Sequence, residues 1–451
     1  MSALVATRPG ALRGVTSSAG WYGGGALVAV GGGVLLGWQP LALVGVTVGL
    51  LVMRYTALAP VVVVVAEGTM LLARLVTGTY TVPTLAEFGA CVLALAVLSV
   101  TQRDLISLRV YLTSLLVLAP WLIEGTIQES FGQAFTGLRI TTFPVLAVAI
   151  GLSLSRNAFR FMMSAAAVIM AANGVASLYE RAVGVEGLLA AGITYGDQVT
   201  EIGNHVLRAP GLMRNSFHLG LFSAAFVVLV MLSAVLAEER LSRWVYLVGL
   251  PGAAACLLLS TSRTSLVLVA VSALMCAVMS DPASRIGRAS RVGAAVLLPV
   301  LPIGVALVGA GSTTSLFQRF GVWQDLFGSR LNLFGHGLGS VGAASFSQFS
   351  SADKVFVDNY WLSLAFQFGA LVLLVVYLAF IALLIAVVTG RVPQGPARAM
   401  AAVLVSVGAA SILLEVWEYP GAMALLGFGF GHWWALHRER AVGLIDDSRR
   451  T

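Results

Sequence analysis

The stretch "LLLSTSRTSLVLVA", residues 257–270, contains the pattern that decides the fold. Two apolar runs meet at a polar stretch, residues 260–265, and the full positive charge of Arg263 stands within it. Similar apolar runs follow one another along the chain, and roughly 20 such residues suffice for a helix to cross the hydrocarbon core of a bilayer. The stretch therefore predicts two membrane helices that are joined by a polar turn.

The composition extends this prediction to the whole chain. Of 451 residues, 58% are hydrophobic and 10% are charged, and the mean hydropathy of +0.92 excludes an ordinary soluble domain. The apolar runs lack the period-two alternation of a membrane β-barrel. We therefore predict an all-α polytopic membrane protein with 12 to 14 transmembrane helices. Single spans are expected at residues 22–37, 56–76, 291–310 and 359–388, among others.

The basic residues orient the chain in the membrane. With both termini in the cytoplasm, 18 of the 27 basic residues fall on the inner side, as the positive-inside rule requires. Basic residues in the cytoplasmic loops then account for the net charge of +7, and no nucleic acid partner is expected. Nine basic residues oppose the rule on the outer side, and we expect an anionic ligand to be the reason. They are Arg74, Arg139, Arg181, Arg208, Arg214, Arg263, Arg319, Arg330 and Lys354.

The same orientation divides the chain into five regions. Two long segments without a span face outwards, and they contain six of the nine outer basic residues. The predicted regions are N-terminal transmembrane helices at 1–179, a first extracytoplasmic loop at 180–215, further helices at 216–310, a long extracytoplasmic loop at 311–358 before the last three spans, and C-terminal helices with a cytoplasmic tail at 359–451.

Arg263 has the chemistry to bind a lipid-linked diphosphate. A guanidinium group offers five donors in a rigid fork that suits phosphate, and it stays charged. The neighbouring serine and threonine hydroxyls add donors, and the N-terminus of the following helix points its N–H groups at the same place. The alternative is an ordinary turn between helices, in which Arg263 reaches the lipid headgroups.

Several motifs together resemble the O-antigen ligase and O-antigen polymerase superfamily. "RAPGLMRNSFHLGLF" at 208–222 is similar to the entry of that family's C-terminal region, and "STSRTSLV" follows it. A long outer loop then contains "QRFGVWQDLFGSRLNLFGHGLGS" and leads into "DNYWLSLAFQFGALVLLVVY". The resemblance covers about residues 205–385, whereas the N-terminal half is similar only in being a series of spans.

The resemblance implies a GT-C-like glycosyltransferase of the bacterial cytoplasmic membrane, with its active site facing the periplasm or exterior. Its donor would be an undecaprenyl-diphosphate-linked glycan and its acceptor a glycan or a lipid, joined by an inverting transfer. Membrane lipids and a chain-length regulator protein are the other candidate partners. No metal or other cofactor is expected, because arginines would neutralise the charge that grows on the diphosphate.

The resemblance also assigns roles to the outer arginines. Arg263 matches the arginine at the end of a span that contacts the diphosphate, and Arg319 matches the loop arginine before the Gly-rich turn. Arg208, Arg214 and Arg330 are further candidates for substrate binding. For Arg208 and Arg214 the alternative is that they are ordinary loop charges.

Asp358 is the favoured catalytic base. It stands where the ligases have a histidine, and the order Asp358, Asn359, Tyr360 resembles the polymerase and exopolysaccharide branch. Asp358 would accept the proton of the acceptor hydroxyl or orient it, with Asn359 and Tyr360 binding substrate. The alternatives are that Asp358 and Asn359 cap the following helix, and that His336 in "GHGLGS" is the base.

Three functions compete at this stage. A polysaccharide polymerase that joins lipid-linked repeat units is favoured, and an O-antigen ligase that moves a finished glycan to another acceptor is the alternative. A transporter of lipid-linked sugars is less favoured, because such a protein is expected to carry charge along a path through the bilayer. Glu67 is the main charge expected inside a span.

Overall fold

The computed structural model describes residues 39–101, 105–190, 192–193, 200–202, 206–281, 331–346, 357 and 359–443. These residues are helical almost throughout, and the strands Thr200–Ile202 and Val206–Arg208 pair as one antiparallel sheet. The chain is thus an all-α membrane protein, as its composition predicts.

The α-helices of the described residues are numbered here in chain order. They are α1 Gln39–Arg54, α2 Ala59–Gly68, α3 Met70–Thr77, α4 Thr81–Thr101, α5 Leu105–Gln128, α6 Phe131–Gly151, α7 Arg156–Ala190, α8 Ser216–Val235, α9 Leu250–Ser260, α10 Arg263–Met279, α11 Tyr360–Phe368, α12 Ala370–Val388, α13 Pro396–Ala410 and α14 Pro420–Ala441. A π-helical turn, Val245–Gly249, leads into α9, and short 3-10 helices lie at Thr56–Leu58, Gly342–Phe346 and Val416–Glu418.

Within the described residues, six helices are long and apolar enough to cross a membrane: α4, α5, α6, α7, α8 and α12. The pair α2 and α3 makes a seventh if it is one broken span. The predicted spans at 22–37 and 291–310 lie outside the described residues. The predicted loop boundary at residue 180 falls inside α7, which is bent at Gly184, where φ is 70°.

Small residues let the helices approach closely, as is common in membranes. A Cβ atom at Gly151 of α6 would lie 2.6 Å from the carbonyl oxygen of Phe428 in α14. A Cβ at Gly174 of α7 would lie 3.0 Å from Cα of Gly252 in α9. The core that these helices enclose contains fully buried aromatic side chains such as Phe222.

The predicted single span at 56–76 is instead two helices bent by 70°. A segment of the first predicted loop, residues 206–215, lies at the break. The Leu71 N–H donates to the Leu212 carbonyl at 2.9 Å, and Nδ2 of Asn173 donates to the Gly68 carbonyl at 3.0 Å. These partners replace backbone bonds that an unbroken helix would make, which a bilayer interior requires.

The predicted single span at 359–388 is likewise broken, at Gly369. Its φ of +93° is left-handed, and a Cβ there would meet the backbone of residues 333–335. The Ala370 N–H donates to the Asn332 carbonyl at 3.0 Å, so a segment of the long predicted loop fills this break. Sequence hydropathy could not show either break, because the bonds that stabilise them come from distant segments.

The helix directions define two ends of the molecule. Helices α6, α8, α10, α11 and α14 all begin at one end, here called the site end. Contacts join the start of α14 to the middle of α6 and to the start of α8. Trp417, just before α14, donates from Nε1 to the Thr141 carbonyl of α6 at 3.2 Å. The Tyr419 ring packs edge-on against His218 of α8, with the ring centroids 4.9 Å apart.

Candidate functional site

Arg263 is the first residue of α10, at the site end. Thr261 adopts a left-handed conformation with φ of 52°, and Ser262 caps the helix by accepting the Ser265 N–H at its Oγ. Gly220 of α8 lies against this turn, since a Cβ there would be 2.7 Å from Cβ of Ser262. The predicted helix N-terminus at Arg263 is therefore present, and it lies against the start of α8.

Arg208 and Arg214 lie beside the same turn. The Ala209 N–H donates to the Leu259 carbonyl of α9 at 3.1 Å, which fixes this segment next to the α9–α10 connection. The Arg208 guanidinium lies 5.1 Å from the Phe217 ring centroid. Such cation–π contact orients a guanidinium without neutralising it.

Arg214 and Arg74 share one aromatic ring. Their guanidinium carbons lie 5.2 Å and 5.0 Å from the centroid of Tyr80, and Nη1 of Arg74 donates to the Tyr80 hydroxyl at 3.2 Å. Arg139 of α6 interacts electrostatically with Arg214 and with Glu87. The structure thus brings Arg74, Arg139, Arg208, Arg214 and Arg263 to one end of the molecule; this set is called the arginine cluster.

A buried acidic group lies next to the arginine cluster. Glu67 and Glu87 are each 1% exposed and lie side by side between α2 and α4. Oε1 of Glu67 is 2.7 Å from Nδ1 of His218 in the first turn of α8. Neither His218 nor Glu87 is among the site residues predicted from the sequence. A signal for it was available, because a carboxyl group inside an apolar run is costly in a membrane.

A small recess opens beside the cluster. Its described lining is Gly137, Ile140, Thr141, Ala344, Tyr360, Gln367, Trp417 and Glu418. The rings of Tyr360 and Trp417 are inclined by only 21°, with centroids 5.9 Å apart. The recess lies near Arg214, because Tyr419, which follows Glu418, packs against His218 in the first turn of α8, and Arg214 lies two residues before that helix.

Glu418 is the only described carboxyl group that lines this recess. Its Oε2 accepts the Ala343 N–H, and the carboxyl groups of Glu418 and Glu415 are in hydrogen-bond contact. Burial raises the pKa of the Glu418 carboxyl to about 7, although the Ala343 hydrogen bond lowers it. A carboxyl group with this pKa exchanges protons near neutral pH.

The backbone of the Gly-rich segment "GHGLGS" links α5 and α11 through hydrogen bonds, and the segment is called the Gly-rich tie. Gly335, Gly337 and Gly339 all have left-handed φ values, from 82° to 88°. Their N–H groups donate to Oδ1 of Asn332, the Gln367 carbonyl and Oε1 of Gln367, respectively. The His336 and Leu338 N–H groups donate to the Phe366 and Trp121 carbonyls. The backbone of this segment therefore offers no cradle for phosphate.

Asn359 caps α11. Its Oδ1 accepts the N–H groups of Trp361 at 2.9 Å and Leu362 at 3.3 Å. Tyr360 lines the recess, whereas His336 lies in the Gly-rich tie. Three predicted site residues, Arg319, Arg330 and Asp358, lie outside the described residues.

Within the described part of the chain, no three histidine, cysteine or acidic side chains are grouped to hold a metal ion. Comparison of the chain with protein-family models, curated proteins and solved structures gives no match. The site end therefore combines five arginines, two of which stand at or just before a helix start, with a recess that holds one carboxyl group and two aromatic rings.

Proposed function

We propose that this protein is a membrane glycosyltransferase that polymerises undecaprenyl-diphosphate-linked oligosaccharide repeat units. The observation that carries the proposal is the arginine cluster. Arg263 starts α10 and Arg214 lies two residues before α8, where the helix dipoles already create positive potential. Positive charge at these places opposes the dipoles, and a bound anion such as a diphosphate would stabilise both.

The chemistry needs no metal ion. As the acceptor oxygen attacks the anomeric carbon, negative charge grows on the departing diphosphate, and guanidinium groups fixed in place would stabilise that charge. Arg263 and Arg214 would contact the diphosphate, with Arg208 beside them and Arg319 and Arg330 supplied by the long loop. Inversion at the anomeric carbon follows from a single direct displacement.

The proposed orientation in the membrane agrees with the distribution of basic residues along the chain. We propose a GT-C-like protein of 12 to 14 spans in the bacterial cytoplasmic membrane, with both termini in the cytoplasm and the site end facing the periplasm or exterior. This orientation brings the arginine cluster to headgroup depth, where the diphosphate of a lipid-linked glycan lies. A glycan on a second lipid carrier would be the acceptor.

The test uses the purified full chain in lipid nanodiscs. Lipid-linked oligosaccharide is extracted from cells that lack this protein and is supplied without any other acceptor. Growth of the glycan on its lipid is the expected result. A reaction that starts only after a second acceptor is added identifies a ligase instead. Failure of both reactions, together with movement of the lipid-linked oligosaccharide across vesicle membranes, overturns the glycosyltransferase in favour of a transporter.

A further inference from the structure

Arg208 and Arg214 lie at the two ends of a largely buried stretch of chain, residues 209–213, which is here called the arginine-bearing stretch. Ala209 and Met213 within it are fully buried. The stretch is neither helix nor strand, so its buried backbone N–H groups need partners from elsewhere in the protein. Those partners fix where the two arginines stand.

Helix α7 supplies two of these partners through its side chains. Oε2 of Glu180 accepts the Gly211 N–H at 2.8 Å, and Oδ1 of Asn173 accepts the Leu212 N–H at 2.9 Å. Gly211 lies so close to α7 that a Cβ there would be 2.8 Å from Oδ1 of Asn173, and its φ of 61° is left-handed. The stretch is therefore held against α7 in one position.

Asn173 also holds the break between α2 and α3. Its side chain is fully buried, and its Nδ2 donates to the carbonyl of Gly68, the last residue of α2, at 3.0 Å. Helix α3, which carries Arg74, begins two residues later. One buried amide group therefore connects the backbone that carries Arg74 with the backbone that leads to Arg214.

Arg74 and Arg214 are held close together in spite of their like charge. Their guanidinium carbons lie 5.0 Å and 5.2 Å from the centroid of the same ring, that of Tyr80. Like charges at this separation repel each other, so a fixed backbone is needed to keep them together. A diphosphate would offset the repulsion, because its oxygens can accept hydrogen bonds from both guanidinium groups.

We propose that Asn173 is a positioning residue of the diphosphate site and that Glu180 supports it. By fixing the arginine-bearing stretch and the start of α3 together, Asn173 sets the spacing at which Arg74 and Arg214 bind a lipid diphosphate. Cations that are fixed before binding lose little conformational freedom when the anion arrives, which favours affinity. This inference rests on the proposed function, of which it uses only the binding of the diphosphate.

The experiment measures the binding of undecaprenyl diphosphate to the full chain in lipid nanodiscs. Asn173→Leu removes the hydrogen bonds of the side chain and should raise Kd at least about tenfold, the worth of one charge-assisted hydrogen bond from a displaced guanidinium. Asn173→Asp keeps an acceptor for the Leu212 N–H and should stay within about threefold of the wild type. Gly211→Ala displaces the same stretch and should weaken binding as Asn173→Leu does.

A double-mutant cycle separates positioning from a loss of stability. When Arg74 and Arg214 are both replaced by alanine, Asn173→Leu has neither arginine left to displace and should change Kd by less than about twofold. Melting curves and size-exclusion profiles show whether each variant folds. If Asn173→Leu does not fold, Glu180→Leu removes the acceptor of the Gly211 N–H and tests the same stretch.

Gln133→Leu is the matched control. Gln133 is also a buried amide, and its Nε2 donates to the Gly339 carbonyl of the Gly-rich tie at 2.8 Å. Its loss should lower the melting temperature in the same way, because a buried carbonyl loses its donor, and should leave Kd within about twofold of the wild type.

Four results decide the outcome. Folded Asn173→Leu that binds undecaprenyl diphosphate within about threefold of the wild type overturns the inference. An equal loss of affinity with and without Arg74 and Arg214 also overturns it, because Asn173 then acts on stability alone. A wild type that binds the diphosphate but makes no glycan contradicts the proposed function and leaves the inference standing. A wild type that does not bind it overturns both.

Discussion

Arg263 at the site end, and Arg438 and Arg440 at the other end of the molecule, stand at opposite ends of their own helices. At the end opposite the site, Arg438 and Arg440 lie in the last turn of α14, and Arg398 donates to the carbonyl of Met279, the last residue of α10. Cations at helix C-termini are favoured by the dipole. At the site end, Arg263 is the first residue of its helix. A bound anion would therefore stabilise Arg263, whereas the dipole of α14 already stabilises Arg438 and Arg440.

Two buried histidine–glutamate pairs repeat this contrast. His432, at the opposite end, has both ring nitrogens engaged: Nδ1 with the Leu154 carbonyl at 3.0 Å and Nε2 with Glu239 at 3.2 Å. His218, at the site end, uses Nδ1 for Glu67, and Tyr419 packs against its ring. A histidine with both nitrogens bonded links two parts of the structure, whereas Nε2 of His218 has no hydrogen-bond partner among the described residues.

The largest expected effect separates the two sets of arginines. Arg263→Ala should lower glycan transfer at least about 100-fold, as loss of a fixed donor to a developing anion does, while membrane insertion and folding persist. The matched control is Arg438→Ala, an exposed arginine of the opposite end, which should stay within twofold. Polymer of near-normal length made by Arg263→Ala would remove that residue from the diphosphate site.

The next largest effect is expected at Asp358 or His336, the two residues that the sequence offers as the catalytic base. Asp358→Asn should lower the rate about tenfold or more, because it loses a carboxylate next to Asn359 and Tyr360. His336→Ala should cost less than about threefold in rate, since the neighbouring backbone of the Gly-rich tie is held by its own hydrogen bonds. Initial rates of glycan growth for both variants decide the ranking, and the reverse order would favour His336.

A smaller effect is expected when His432 or His218 is replaced. His432→Ala leaves the buried Glu239 without its partner and should destabilise the fold by about 1–3 kcal/mol, seen as a lower melting temperature, with little change in the rate of folded protein. His218→Ala should reduce the rate more than it reduces stability. Equal losses of stability without a change in rate would make both histidines structural.

The smallest effect is expected from metal removal. Excess chelator should leave the transfer rate unchanged, because the arginine cluster supplies the positive charge that a divalent ion would otherwise supply. The measurement is the rate before and after dialysis against chelator, and after magnesium is restored. Loss of turnover that magnesium restores would contradict the arginine mechanism.

Helix class and the start of α10 were predictable, because long apolar runs and polar turns are local properties of the chain. The breaks at Thr69 and Gly369 were not, since residues 206–215 and 331–335 provide the replacement hydrogen bonds. The conformation of "GHGLGS" was not predictable either, because the N–H groups of its glycines are bonded to Gln367 and Asn332.

The sequence by itself determined that this is a helical membrane protein and that Arg263 stands at the start of a helix, because hydropathy and capping act over a few residues. Only the tertiary structure decided which arginines share one end, that Glu67 faces His218, and that Glu418 lines a recess with Tyr360 and Trp417. Glu67 and His218, and likewise Tyr360 and Glu418, are separated by more than 50 residues along the chain, and only helix packing brings them together.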